Sequence, residues 1–350
     1  MKLLERIHGL KIWAIILLAS STFTSCSILD EEEADCAVYV KFKYDRNIVG
    51  ADAFANTVKS VTLYAFGKDG KLAFQKTEEG EPLKQKGYRM RLDEISRGEA
   101  DDYDFITWAG LEDNESFTVP LLQPGVDTKE SLQCRLNREH VSRTEDGIAV
   151  VEHNLEALFH GRVVGNHISR TVEANGEMEV SLTKNTNSIR IIMQHISGEP
   201  VDVNQFNFTI TDENGLMNYD NSLLEDEQIT YRAWRKDMGY AGMGEEPTTG
   251  VTEVNVAIAE LTVARLMADE RPILTISNKE TGEKVLSIPL VDYALLVKGE
   301  YNQFPNMSNQ EYLDRQDEYS MTFFLDSGNR WINSFIYINS WKVVLQDAEI

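Results

Sequence analysis

The residues of this chain best equipped for chemistry are three cysteines, Cys26, Cys36 and Cys134, and three histidines at intervals of seven, His153, His160 and His167. A cysteine can carry lipid, form a disulfide or hold a metal, and its neighbours decide which. Ahead of Cys26 stand Lys2, Arg6 and Lys11, an apolar run from Ile12 to Ala19, and the small pair Thr24-Ser25. That order is an export signal over residues 1–25 with cleavage before Cys26, too short to serve as a stop-transfer helix. A cysteine left at the new N-terminus is the acceptor for lipid, so Cys26 is the expected lipidation site. In an oxidising compartment Cys36 and Cys134 have two readings. Each shares an alternation with inward-facing apolar residues. A disulfide between them would contribute roughly 4 kcal/mol, and the alternative is two inert buried thiols.

The histidine spacing invites a metal site, but strands send odd offsets to opposite faces. Gly161 and Gly165 argue against one helix through the span. With no H-E-x-x-H motif and no carboxylate at ligand spacing, solvated or hydrogen-bonded histidines are expected, and no metal or other cofactor. "DENGLMNYD" (212–220) lacks the acid and glycine positions of an EF-hand, and its Asn214-Gly215 reads instead as a hairpin turn. The glycines of "GYAGMG" (239–244) lack dinucleotide-binding spacing and a strand-to-helix setting. No G-x-S-x-G is present, and carboxylates are too abundant for any pair to indicate glycoside hydrolysis. No catalytic residue is assigned, and the chain is not expected to be an enzyme. Trp108 and Trp341 lie within strand patterns and are expected in the core. Trp234, between Arg232 and Arg235 in "ITYRAWRKDMGY", is the better candidate for a surface contact.

Composition narrows the partners. The 350 residues carry a net charge of -23, and loss of residues 1–25 removes three cations and one anion, leaving -25. Such a surface repels nucleic acid and anionic headgroups. After Cys26, Asp30 to Glu33 lack the apolar content to fold, so residues 26–35 form a solvated acidic tether. The remaining length exceeds one ordinary sandwich core, which favours two domains.

The elements that must position these residues are almost all strands. Period-two alternation marks "VYVKFKY" (38–44), "SVTLYAF" (60–66), "KLAF" (71–74), "YDFITWA" (103–109) and "ESLQCRLN" (130–137). In "GKDGK", Asp69-Gly70 supplies a tight turn. "HNLEALFHG" (153–161) has a helical face, with Asn154 as cap and Gly161 as stop, and predicts one or two helical turns. "EMEVSLTKNTNSIRIIMQHI" (177–196) gives two strands around a polar joint, "TKNTN". The domain boundary is placed there: 36–184 for an N-terminal sandwich, 185–350 for a C-terminal one. The second half continues with strands at 206–212, 255–266, 272–278, 284–290, 320–326 and 335–350. Turn signals at Thr281-Gly282 and Ser327-Gly328 fall between them, and "YAGMGEEPTTG" (240–250) is a loose loop. The fold class is all-β, two β-sandwich domains in tandem behind the signal peptide.

Taken in order, "VYVKFKYDRNIVGADAF", "VTLYAFGKDGKL", "YDFITWAGL", "LFHG", "LTKNTNSIRI" and "INSWKVV" resemble the fimbrial anchor lipoproteins of Bacteroidales, the FimB/Mfa2 family, over nearly the whole mature chain. The resemblance implies transthyretin-like sandwiches, lipid on Cys26 and residence at the outer membrane. It further implies a role at the base of a fimbria, where the anchor associates with the stalk fimbrillin, or with other fimbrial accessory proteins, and limits filament length. A retained first strand would then end the filament at the membrane. The acidic run after Cys26 resembles the export tag that sends Bacteroidota lipoproteins to the cell surface. The alternative from the residues is a surface lipoprotein that binds glycan through loops and aromatics such as Trp234.

Overall fold

The computed structural model describes residues 37–96, 103–141, 147–164, 177–241, 254–301 and 303–345. The expected signal peptide, Cys26, the acidic tether, Cys36, His167 and most of the 240–250 loop lie outside the described residues. The first half contributes β1 Ala37–Arg46, β2 Ser60–Phe66, β3 Leu72–Glu79, β4 Met90–Ser96, β5 Asp104–Ala109, β6 Phe117–Thr118, β7 Cys134–Leu136, β8 Glu139–Val141, β9 Ile148–Val151, β10 Phe159–Val163 and β11 Glu177–Lys184. The second contributes β12 Thr186–His195, β13 Phe206–Asp212, β14 Leu216–Met217, β15 Ile229–Arg232, β16 Arg235–Ala241, β17 Val254–Ala264, β18 Ile273–Asn278 and β19 Lys284–Pro289. Two short helices follow, α1 Leu290–Leu295 and α2 Asn309–Arg315, then β20 Glu318–Leu325, β21 Phe335–Ile338 and β22 Trp341–Val344. A further single helical turn spans Phe54–Thr57.

A seven-stranded sheet has the order β3-β2-β5-β10-β11-β1-β4. Its strands alternate between two cores. Val61, Leu63 and Ala65 join one face, with Val40, Phe42 and Val180, while Tyr64, Phe66, Ile106 and Trp108 join the other. Burial on both faces explains why β2 and β5 read as nearly continuous apolar runs. The edge strands approach each other, since Lys76 donates to the Arg91 carbonyl at 2.6 Å and the Tyr88 hydroxyl donates to Glu78 at 2.8 Å. The sheet therefore curls around its own apolar core.

In the second half, two six-stranded sheets, β16-β17-β12-β20-β21-β22 and β19-β18-β13-β15-β9-β8, pack their apolar faces together as a β-sandwich. β8 and β9 come from the first half of the chain and join this sandwich by the parallel pairing of β9 with β15. A small sheet, β14-β7-β6, lies over the outward aromatic face of the seven-stranded sheet, and one apolar cluster runs through both halves.

Three local expectations are corrected. Residues 153–158 form no helix. Leu158 enters the core cluster that holds Trp108 and Phe159 enters the other, an alternation that suits a strand, and β10 begins at Phe159, opposite both Ala109 and Lys184. Asn214-Gly215 makes no tight hairpin, because β13 pairs with β15 across the whole excursion 213–228. Instead Asn214 is buried, donating to the Arg265 carbonyl at 3.0 Å and accepting from the Tyr231 hydroxyl at 2.5 Å. The "TKNTN" joint is no solvent loop. Only Asn185 separates β11 from β12, and Thr183, Asn185, Thr186 and Asn187 are all buried. Asn185 and Asn221 exchange amide hydrogen bonds at 2.6 and 3.1 Å, which satisfies both in the interior.

Candidate functional site

The first strand sits inside the seven-stranded sheet, between β11 and β4. It pairs with β11 in parallel from Tyr39 opposite Glu177 to Lys43 opposite Ser181. Val38, Val40, Phe42 and Tyr44 point into the core, and Lys43 meets Glu179 at 2.5 Å on the other face. The strand is fixed at its C-terminal end. Asn47 donates to the Tyr44 and Ala51 carbonyls, each at 2.7 Å, and accepts from the amides of Val49 and Gly50. Gly50, at φ +70°, lies against Phe304. Arg315 stacks over Phe304 at 4.2 Å and reaches the Asp45 carbonyl, so the turn after β1 docks on the second half.

At the opposite end of the chain, β22 forms a sheet edge. Its described partner is β21 alone, through Phe335 opposite Val344 and Ile338 opposite Trp341. Trp341 is 44% exposed and Val344 67% exposed. Trp341 is thus corrected from the core to the surface: it shares the face of Ile338 at an edge that no further strand covers among the described residues. On the outward face Phe324, Phe335 and Tyr337 group, with ring centroids 4.8, 5.9 and 6.4 Å apart. A row of unpaired main-chain groups flanked by apolar side chains is a template for strand addition.

Of the histidines, His153 is exposed and 3.4 Å from the Ser116 hydroxyl. His160 is buried against Trp108, with its Nε2 2.9 Å from the Tyr219 carbonyl. Burial pushes His160 down to about 4, against the raising effect of that carbonyl, so the ring is neutral. The two histidines serve different surroundings. Cys134 is buried in β7 with a free thiol, which burial pushes far up. Trp108 is fully buried, as its pattern indicates.

Trp234 is partly buried and lines a groove of about 400 Å³ on the outer face of the β12-β17-β20 sheet. Beside it, Arg190 donates to Glu260 at 2.7 and 3.1 Å. Asn154, read from sequence as a helix cap, lines the same groove and accepts from Thr262 at 2.8 Å. Sequence reasoning missed Arg190, Glu260 and Gln316. The signal for the pair was available, since charges at single positions within apolar strands must face away from the core.

The family model of fimbrillin-A associated anchor proteins Mfa1 and Mfa2 matches residues 32–347. A candidate adhesin from Bacteroides thetaiotaomicron is 34% identical, with a TM-score of 0.73, covering 90% of this chain and 100% of that one. A candidate polysaccharide-binding protein (DUF1812) from the same organism is 31% identical, with a TM-score of 0.71, covering 89% and 99%. The fimbrial anchor protein Mfa2 of Porphyromonas gingivalis, 16% identical, shares the fold at a TM-score of 0.57 over 89% and 99%. No curated protein matches. The chain belongs to the family of fimbrillin-A associated anchor proteins.

Proposed function

We propose that this protein anchors a fimbria at the outer membrane through lipid on Cys26 and ends the filament at its base. The observation that carries the reading is the placement of β1, hydrogen-bonded on both sides by the chain's own β11 and β4. A subunit whose first-strand slot is filled by itself has no vacancy there for another subunit's strand. Elongation from that side stops, which limits length. Contact with the stalk fimbrillin then falls to another edge, and β22, with Trp341 and Val344 exposed, suits an incoming strand. The work is mechanical, and family membership is that of an anchor and not of an enzyme.

Deletion of the gene, followed by electron microscopy of the cells, tests the reading. Filaments are expected to detach and to change in length, and unchanged number, length and retention would overturn it. Cys26→Ala is expected to move the protein out of the membrane fraction, and persistent membrane attachment would refute lipidation. A double change at the edge, Trp341→Asp with Val344→Asp, is expected to release filaments while the anchor stays in the membrane.

A further inference from the structure

We propose that the groove beside Trp234 binds a neutral oligosaccharide. The groove crosses the solvent face of β12, β17 and β20, and its volume of about 400 Å³ lies within the range of small-ligand sites. Trp234 forms one wall, an aromatic surface of the kind that stacks on the CH face of a sugar ring. Around it stand groups that hydrogen-bond hydroxyls: Ser188, Ser320, Asn154 and Asn339, with the carboxylate of Glu318.

Two observations bear on the ligand, the first on its charge and the second on its hydroxyls. The guanidinium of Arg190 is engaged by Glu260 at 2.7 Å, and Arg235 approaches the other oxygen of the same carboxylate at 3.7 Å. Arg235 also pairs with Asp237 at 2.8 Å, so two carboxylates match the two cations, and Glu318 adds negative charge that would repel a uronate or a sulfate. The second is Gln316, 7% exposed at the groove. Its Nε2 donates to the Glu318 carbonyl, whereas its Oε1 has no partner. A buried amide oxygen left unpaired costs free energy, and a donor bound at the groove, a sugar hydroxyl or a water it carries, would satisfy it. Sugar binding here adds adhesion to anchoring and does not replace it.

The test titrates the detergent-solubilised full chain with maltopentaose, cellopentaose, mannopentaose and N-acetylchitopentaose, and with pentagalacturonate as the acidic comparator. Calorimetry is expected to show saturable binding of at least one neutral probe. Trp234→Ala is expected to weaken it at least about tenfold, and Trp234→Phe only a few-fold. Ser188→Tyr, which fills the groove and leaves Trp234 in place, is expected to abolish it with an unchanged thermal midpoint. Failure of all four neutral probes, binding insensitive to both Trp234→Ala and Ser188→Tyr, or equal binding of pentagalacturonate would overturn the proposal. None of those results would alter filament retention in the deletion experiment, so the two readings fail separately.

Discussion

Phe42 lies opposite Val180 in the parallel pairing of β1 with β11, and both side chains enter the same apolar core. Phe42 also stacks on Phe54 at 5.9 Å and on Tyr88 at 6.5 Å, so one residue of the first strand ties three segments together. Phe42→Ala removes a buried ring and leaves a cavity, with an expected loss of about 3–5 kcal/mol in urea unfolding. A chain lacking residues 37–46 is expected to regain that stability when the peptide AVYVKFKYDR is supplied in trans. No gain on adding the peptide would show that the slot does not persist without its strand.

Gly161, in β10, packs against the same strand, β11. A Cβ there would stand 2.5 Å from Val180 Cγ1 and 2.8 Å from Leu182 Cδ2. Both neighbours are fully buried branched side chains in β11, held between β10 and β1, so they have little room to yield. Gly161→Ala is expected to cost about 1–3 kcal/mol through overpacking, read as a lower urea midpoint at unchanged slope. The "LFHG" stretch thus reflects close strand approach at its glycine and a buried hydrogen-bonded histidine beside it.

Much of the strand content was legible because alternation maps directly onto buried and exposed faces. Positive-φ glycines also marked turns: Gly70 and Gly282 sit at +76° and +73° in the loops where turn residues pointed. What escaped the sequence is polar residues whose partners are remote in the chain. Nothing local shows that Asn185 pairs with Asn221, or that Arg265 forms a fork with Asp314 at 2.8 and 3.0 Å. Such residues read as loop formers, because their hydrogen bonds close only after segments distant in the chain have packed. β8 and β9 were missed for a related reason: they are short strands that owe their place in a sheet to the pairing of β9 with β15 of the other half. The groove at Trp234 was legible only as an aromatic in an irregular stretch, since its other walls come from β12, β17 and α2's C-terminal flank.

Asp212 and His160 respond to pH in opposite directions. Burial pushes the Asp212 carboxyl up to about 7, opposed by the Glu213 amide and assisted by Glu270, and its Oδ2 has no partner. The folded value exceeds the unfolded one of roughly 3.9, so the folded state holds the proton more tightly. That contribution is fully present below about pH 4 and is lost as pH rises through 7. Asp212→Asn is therefore expected to stabilise the protein at pH 8 by about 1–3 kcal/mol and to flatten the profile between pH 4 and 7. His160 falls to about 4 in the fold, below the unfolded value of roughly 6.5. Its contribution is present above pH 6.5 and is lost as pH falls through 4. His160→Gln, which keeps a donor for the Tyr219 carbonyl, is expected to reduce the loss between pH 6.5 and 4. Thermal midpoints of the two variants across pH 4–8 check both signs.

Cys134 offers a chemical probe of the same core. Its thiol is fully buried among Tyr64, Phe66 and Leu132 in one apolar cluster, and burial disfavours the thiolate that would react. Iodoacetamide is expected to leave Cys134 unmodified in the native protein and to label it fully in 6 M guanidinium without reductant, as a free thiol requires. Labelling that appears only after a reductant is added would instead reveal a disulfide, with Cys36 as the partner to map. Cys134→Ser places a hydroxyl where β7 offers an apolar surround, and a loss of about 1–3 kcal/mol is expected from the buried polar group. Cys134→Ala separates the two contributions: it removes the sulfur without adding a polar atom, so its cost reports packing alone and should be the smaller of the two.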